Sequence, residues 1–352
     1  MAIASLPFTR RLREWAVALL GCIAAIGLAQ GRVGLTEIPG TGGDGPIQVF
    51  YPSGSEMAGV RRGPFTVQVA ENGSIVQGNR RLIVISHGSG AHPMVQADIA
   101  LHLVRAGFLV AIPEHAGDNW HDRSKVGTKS WELRPPEVSR AIDALARDTR
   151  FAPLFDAQRV GMFGMSAGGH TALTLAGGRW SRARLLAHCE QHLAADFVAC
   201  TGAAIELKGD GWDNIKLAIA RPLIRWSLGS DATWHRHTDV RIRAAVAAVP
   251  LAADFDWDSF APPAIPLGIV QAEQDRWLVP RFHSTALASH CAACEMLASL
   301  PGASHGALLA PLPPPEPGLA GRLIADPPGF DRSVLPALYQ QIDTFFRKHL
   351  LP

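Results

Sequence analysis

The stretch Arg159-Val160-Gly161-Met162-Phe163-Gly164-Met165-Ser166-Ala167-Gly168-Gly169-His170 decides how the rest of the chain is read. A short apolar run ends in a Gly-x-Ser-x-Gly pentapeptide, Gly164 to Gly168, and a small-residue, helix-compatible segment follows from Thr171 to Ala176. A serine squeezed into a tight strand-to-helix turn is lifted clear of its sheet, and so strained a turn accepts only glycine or other small residues beside it. The helix starting there offers N–H groups and a positive dipole end, suited to a developing negative charge on oxygen. A chance glycine-rich turn would read the same over five letters, so the surroundings must decide.

Outward from this stretch, strands and helices alternate. Leu82 to Ser86 is a continuous apolar run, as expected of a strand buried on both faces. Val95 to Ala106 reads as a helix ending at Gly107, and Phe108 to Ile112 as a strand stopped by Pro113. Val138, Ile142 and Leu145 give Glu137 to Asp148 helical spacing, opened by Pro135-Pro136. Strands resume at Ala244–Pro250, Ile265–Gln271 and Glu295–Leu300, with helices over Phe282–His290 and Val334–Leu350. Two leading strands, 33–38 and 47–51, and a possible edge strand, 65–69, precede this series. Such alternation predicts an α/β fold with a mostly parallel sheet covered on both faces. Residues 179–240 break the rhythm with four tryptophans and two cysteines, and are expected to be an inserted helical cap over a core of residues 30–178 and 241–352. The proline-rich segment 310–330 reads as an irregular loop or partial lid.

Composition places the chain among ordinary globular proteins, at 47% hydrophobic and 18% charged residues. Arg10, Arg11 and Arg13 precede an apolar stretch, Trp15 to Leu28, with small residues at Gly27-Leu28-Ala29. That stretch is short for a bilayer span of about 20 residues, so residues 1–29 read as a secretory signal. An uncleaved anchor, or a lipoprotein acylated at Cys22, is the alternative. Without residues 1–29 the 33 basic and 31 acidic residues fall by three Arg and one Glu to 30 of each. A neutral chain gives no reason to expect nucleic acid or an anionic membrane as a partner. Four cysteines remain, and local pairing, Cys189–Cys200 and Cys291–Cys294, closes the smallest loops. Cys291-x-x-Cys294 as a redox or metal pair is the competing reading.

A serine hydroxyl is a poor nucleophile without a base to take its proton and a group to orient that base. Asp275 and His305 follow the strands 265–271 and 295–300, at the carboxyl ends where parallel sheets gather their site residues. The expected constellation is therefore Ser166, Asp275 and His305, with Asp254 the alternative acid. The loop Ser86-His87-Gly88-Ser89-Gly90 could turn a backbone N–H toward the serine, and the Ser89 and Ala167 amides form the candidate oxyanion hole. His87 reads as a brace for that turn. Glu114 to Asn119 reads as a polar loop shaping the substrate entrance. Metal binding by His115, Asp118 and His121 is the alternative there, but no metal or other cofactor is expected.

With these pieces assembled, the chain resembles the predicted dienelactone hydrolase group, relatives of platelet-activating-factor acetylhydrolase within the alpha/beta-hydrolase superfamily. The resemblance rests on Arg61–Phe65, Ile85–Gly90, Pro113–Asp118, Arg134–Arg140, Gly164–Gly169 and the segments around Asp275 and His305. It implies an alpha/beta-hydrolase fold and a cofactor-free serine carboxylesterase with Ser166, Asp275 and His305 as the triad; the signal segment adds export, and a cap whose tryptophans shape a modest pocket leads us to expect short or medium acyl esters. Amide cleavage, acyl transfer, or binding without catalysis on the same scaffold are the other readings. Two departures stand out. Dienelactone hydrolases proper often use cysteine where this chain has Ser166, and the acetylhydrolase relatives place the acid one strand earlier, near Asp254.

Overall fold

The computed structural model describes residues 31–229 and 231–352; the segment 1–29, expected to be a secretory signal, and its Cys22 lie outside them. Ten strands form one mixed sheet: β1 (Val33–Ile38), β2 (Ile47–Pro52), β3 (Ala58–Arg62), β4 (Phe65–Glu71), β5 (Leu82–Ser86), β6 (Leu109–Pro113), β7 (Val160–Met165), β8 (Ile242–Ala248), β9 (Leu267–Ala272) and β10 (Glu295–Leu300). Their order is β10-β9-β8-β7-β5-β6-β2-β1-β4-β3. From β10 to β6 every neighbour runs parallel. β2 is antiparallel to both β6 and β1, and a β3–β4 hairpin closes the far edge, with β4 parallel to β1.

The strands β5, β6 and β7 are buried at every position because helices cover both faces. Alternate side chains serve opposite cores, as a two-residue period requires. Ile83 and Ile85 point into one core with α1 (Ala97–Arg105) and α9 (Leu335–Leu350), whereas Leu82 and Val84 point into the other, with α2 (Thr128–Arg147), α3 (Ala167–Leu175) and α7 (Ser284–His290). Among the described residues no helix is long and apolar enough to cross a membrane.

The sequence reading needs correction in four places. The helix expected from Glu137 starts at Thr128 and runs through Pro135 and Pro136. Prolines remove two N–H donors there, but buried hydrogen bonds donated by Arg134 and one accepted by Glu137 from His115, on either side, pin the turn. The segment 310–330 is not wholly irregular, since α8 (Gly318–Ile324) lies within it. β3 is an unanticipated strand, exposed and polar at the sheet edge, where β4 had been expected. Lastly, the helix at residues 95–106 opens as a 3-10 turn, Pro93–Gln96, before α1.

Residues 179–240 contain α4 (Arg182–His192), α5 (Phe197–Cys200) and α6 (Asp213–Leu228). These helices share a small core of Leu185, Leu193, Phe197, Ala220 and Ile224. Cys189 and Cys200 sit at disulfide distance within it, and Cys291 and Cys294 form a second such pair. Two local cystines fit an oxidising compartment. Trp180 does not belong to this outer layer: it is fully buried in the core, bridged to His235 and Phe255.

Candidate active site

At the end of β7, Ser166 takes φ +59°, in the left-handed region that a non-glycine residue enters only at a cost of about 1–3 kcal/mol. Backbone crowding enforces the bend. A Cβ on Gly164 would lie 1.8 Å from the Gly168 carbonyl oxygen, and one on Gly168 would lie 1.9 Å from that of Ser86. Only glycine fits either place. Hydrogen bonds from the Ser166 N–H to Ala248 O (3.0 Å) and from the His170 N–H to Ser166 O (3.0 Å) hold the turn.

The Ser166 hydroxyl lies 2.9 Å from His305 Nε2, and His305 Nδ1 lies 2.7 Å from Asp275 Oδ2. A carboxylate only accepts, so Nδ1 carries the proton and Nε2 is left to accept from the serine. The other Asp275 oxygen accepts the Trp277 and Leu278 N–H groups at 2.8 and 2.9 Å, which fixes the carboxylate. The Trp277 ring packs on the imidazole, with centroids 5.1 Å apart. His305 and Asp275 are buried while Ser166 is partly open. The His305 turn is itself clamped: Gly306 has no room for a Cβ beneath Ile324 O, and Arg332 donates to the carbonyls of Leu309 and Gly306. Asp254 is elsewhere engaged, accepting from His170 Nε2 at 3.0 Å, and so makes no bond to His305.

Ser89 and Ala167, the candidate oxyanion-hole residues, both border the cleft or its turn. Ala167 is the first residue of α3, so its N–H has no partner within the helix. The Ser89 N–H donates to no carbonyl among the described residues. The loop carrying it is braced from behind. Asp118 Oδ1 accepts from Ser89 Oγ and the Gly90 N–H, both at 2.7 Å. Its Oδ2 accepts from Ser130 and from Arg134 Nη2 at 2.9 Å, and Arg134 Nη1 donates to His87 O. Burial pushes the Asp118 carboxyl up, but the Arg134 charge and these hydrogen bonds outweigh it and hold the group at about 2. His87 braces the same turn, Nδ1 donating to Gly88 O and Nε2 accepting the His115 N–H.

This Asp118–Arg134 pair was not assigned from sequence. An arginine in a helix reads as solvated, and only its complete burial shows otherwise. The metal alternative finds no support in the geometry. His115 bonds Ser86 and Glu137, His121 bonds Glu114, and Asp118 faces Arg134. Among the described residues no group of three or more His, Cys, Asp or Glu is disposed to hold a metal ion.

A cleft of about 420 Å³ opens over Ser166 and His305. Phe65, His92, Trp120, Val126, Leu309, Pro313–Pro315 and Ile324 are among the residues that line it. The tryptophans expected to shape it, Trp180, Trp212, Trp226 and Trp234, are absent from the lining, and among the described residues of 179–240 only Gly202 and Ala203 contribute. Tryptophan content could not reveal this, because Trp120 and Trp277 reach the cleft from the core's own loops. No protein-family model matches the chain, and no curated protein matches it significantly.

Proposed function

We propose that this chain is an exported serine ester hydrolase of the alpha/beta-hydrolase type, acting on short- or medium-acyl esters through an acyl-enzyme. One observation carries the reading: a serine on a strained strand-to-helix turn, hydrogen-bonded to an imidazole that a buried carboxylate orients. The chain order serine, aspartate, histidine is that of alpha/beta-hydrolases. Two cystine-distance pairs support export.

In the proposed reaction His305 Nε2 takes the proton as Ser166 Oγ attacks the ester carbonyl. Asp275 stabilises the imidazolium that results. The carbonyl oxygen becomes an oxyanion and is received by the Ser89 and Ala167 amides, whose N–H groups have no backbone carbonyl partner among the described residues. His305 then returns the proton to the departing alcohol, leaving an acyl group on Ser166. Water, activated by the same imidazole, releases the acid. A cleft of this volume lies within the usual range for small-molecule sites.

The test is hydrolysis of p-nitrophenyl acetate and butyrate by the purified protein and by Ser166→Ala. Loss of turnover in the variant by a factor of about 10⁴ or more is expected. Equal rates would remove Ser166 from the reaction, and failure to react with a fluorophosphonate probe would favour a binding role instead. Parallel anilide and thioester substrates separate ester cleavage from amide cleavage and acyl transfer.

A further inference from the structure

The helix α6 is apolar on two sides, and only one is used. Ala220 and Ile224 face the insertion's small core, packed against α4. On the outer side Trp212 is 67% exposed, Leu223 57% and Trp226 84%, with Ile215 and Ile219 about half exposed between them. A helix apolar all round normally has both sides covered. An exposed row of this kind marks an interaction surface rather than chance.

The spacing of the row says what covers it. Trp212, Ile215, Ile219, Leu223 and Trp226 are separated by steps of three, four, four and three, so the row reads the same from either end about Ile219. Steps of three and four keep all five side chains on one face of the helix. We propose that two copies of the chain associate through antiparallel α6 helices related by a two-fold axis at Ile219. Ile219 then meets its own twin, Ile215 meets Leu223 of the second copy, and Trp212 meets Trp226. Self-complementarity of this sort is what an isologous contact requires.

The area agrees. The two tryptophans and three aliphatic side chains leave roughly 600 Å² of apolar surface on one copy. A pair would therefore remove about 1,200 Å² from water, the lower edge of specific interfaces. A lipid surface would have no use for the symmetry. It would also find, among the described residues, only one positive charge on α6 without a carboxylate partner, Arg221, which donates to the Glu190 carbonyl, since Lys216 pairs with Asp213 and Asp210, and Arg225 with Glu190. The surface is separate from the cleft and does not depend on the proposed chemistry.

Sedimentation of the full chain at increasing concentration should show a dimer. Ile219→Arg sets two like charges face to face on the axis and should give a monomer, with unchanged ester turnover and, at concentrations where the unsubstituted chain is itself dissociated, an unchanged melting temperature. Under mild oxidation Ile219→Cys should cross-link between copies beyond the background of the unsubstituted chain. Trp212→Cys should not, because twin copies of that position lie about 21 Å apart along the helix axis. A wild-type monomer at every concentration would overturn the inference. So would a dimer that survives Ile219→Arg, cross-linking as fast at position 212 as at 219, or capture of the monomer by phosphatidylcholine–phosphatidylglycerol vesicles.

Discussion

The turn at Ser166 and the helical insertion around α6 are held by opposite means. At the turn, backbone meets backbone: glycines at 164 and 168 lie where any Cβ would strike a carbonyl oxygen, and the neighbouring loop is pinned by a fully buried Asp118–Arg134 pair. The insertion has a six-residue core of its own, a local cystine, and an outer face left in water. The proposed chemistry requires Ser166 to stay within a few tenths of an ångström of its partner, which numerous and unexchangeable supports would serve. A peripheral layer carries no such demand and its surface is free to be spent on association.

Six substitutions, in four tests, would break or sharpen that contrast. The largest effect is expected at the acid: Asp275→Asn should lower kcat for p-nitrophenyl acetate by about 10³–10⁴, whereas Asp254→Asn should leave kcat within a few-fold. If the two exchanged effects, the hydrogen bond between His305 and Asp275 would not be the one that matters. Next comes Asp118→Asn, which leaves Arg134 buried against a neutral partner and should cost about 3–5 kcal/mol in urea unfolding, with turnover falling as the Ser89 loop shifts. The sign of its pH dependence follows from the depressed carboxyl. Held at about 2 in the folded chain against an ordinary value of 3.8, Asp118 contributes stability that is complete above pH 3.8. That contribution disappears as pH falls toward 2, so acid melts of wild type and Asp118→Asn should converge there.

Smaller effects belong to the insertion. Cys189→Ser with Cys200→Ser opens a loop with a separation of 11 residues and should cost about 2–3 kcal/mol, read as a lower melting temperature with turnover at Ser166 largely kept. Equal loss of turnover would show that the cleft depends on the insertion more than Gly202 and Ala203 imply. Smallest of all, Trp226→Ala at low protein concentration should change unfolding free energy by no more than about 0.5 kcal/mol. A larger loss from so exposed a side chain would mean that its face is covered within one copy.

Much of the core was legible because its signals are local. Leu82–Ser86 reads as a buried strand from its unbroken apolar run and Arg159–Phe163 as the strand before the serine, which the structure places at Val160–Met165, and the glycine spacing around Ser166 announces a bend. The errors share a cause. The start of α2 was missed because prolines at 135 and 136 break helices in isolation, while here the buried bonds of Arg134 and Glu137 override that preference. β3 was missed because Ala58–Arg62 has the polar, exposed character of an edge. The lining of the cleft was assigned to the wrong tryptophans, since which loop leans over a site depends on contacts between segments far apart in the chain.

The residue sequence by itself established an alternating strand–helix core, a serine at a glycine-bounded bend, and an aspartate and a histidine each following a later strand. Those features follow from side-chain period, backbone freedom and chain order, which neighbours along the chain carry. The tertiary structure alone decided that His305 bonds Asp275 and not Asp254, that Asp118 and Arg134 position the Ser89 loop, and that α6 keeps one apolar face in solvent. Each of these depends on which remote segments share a low-dielectric interior, and a hydrogen bond or an exposed side chain exists only once that packing is complete.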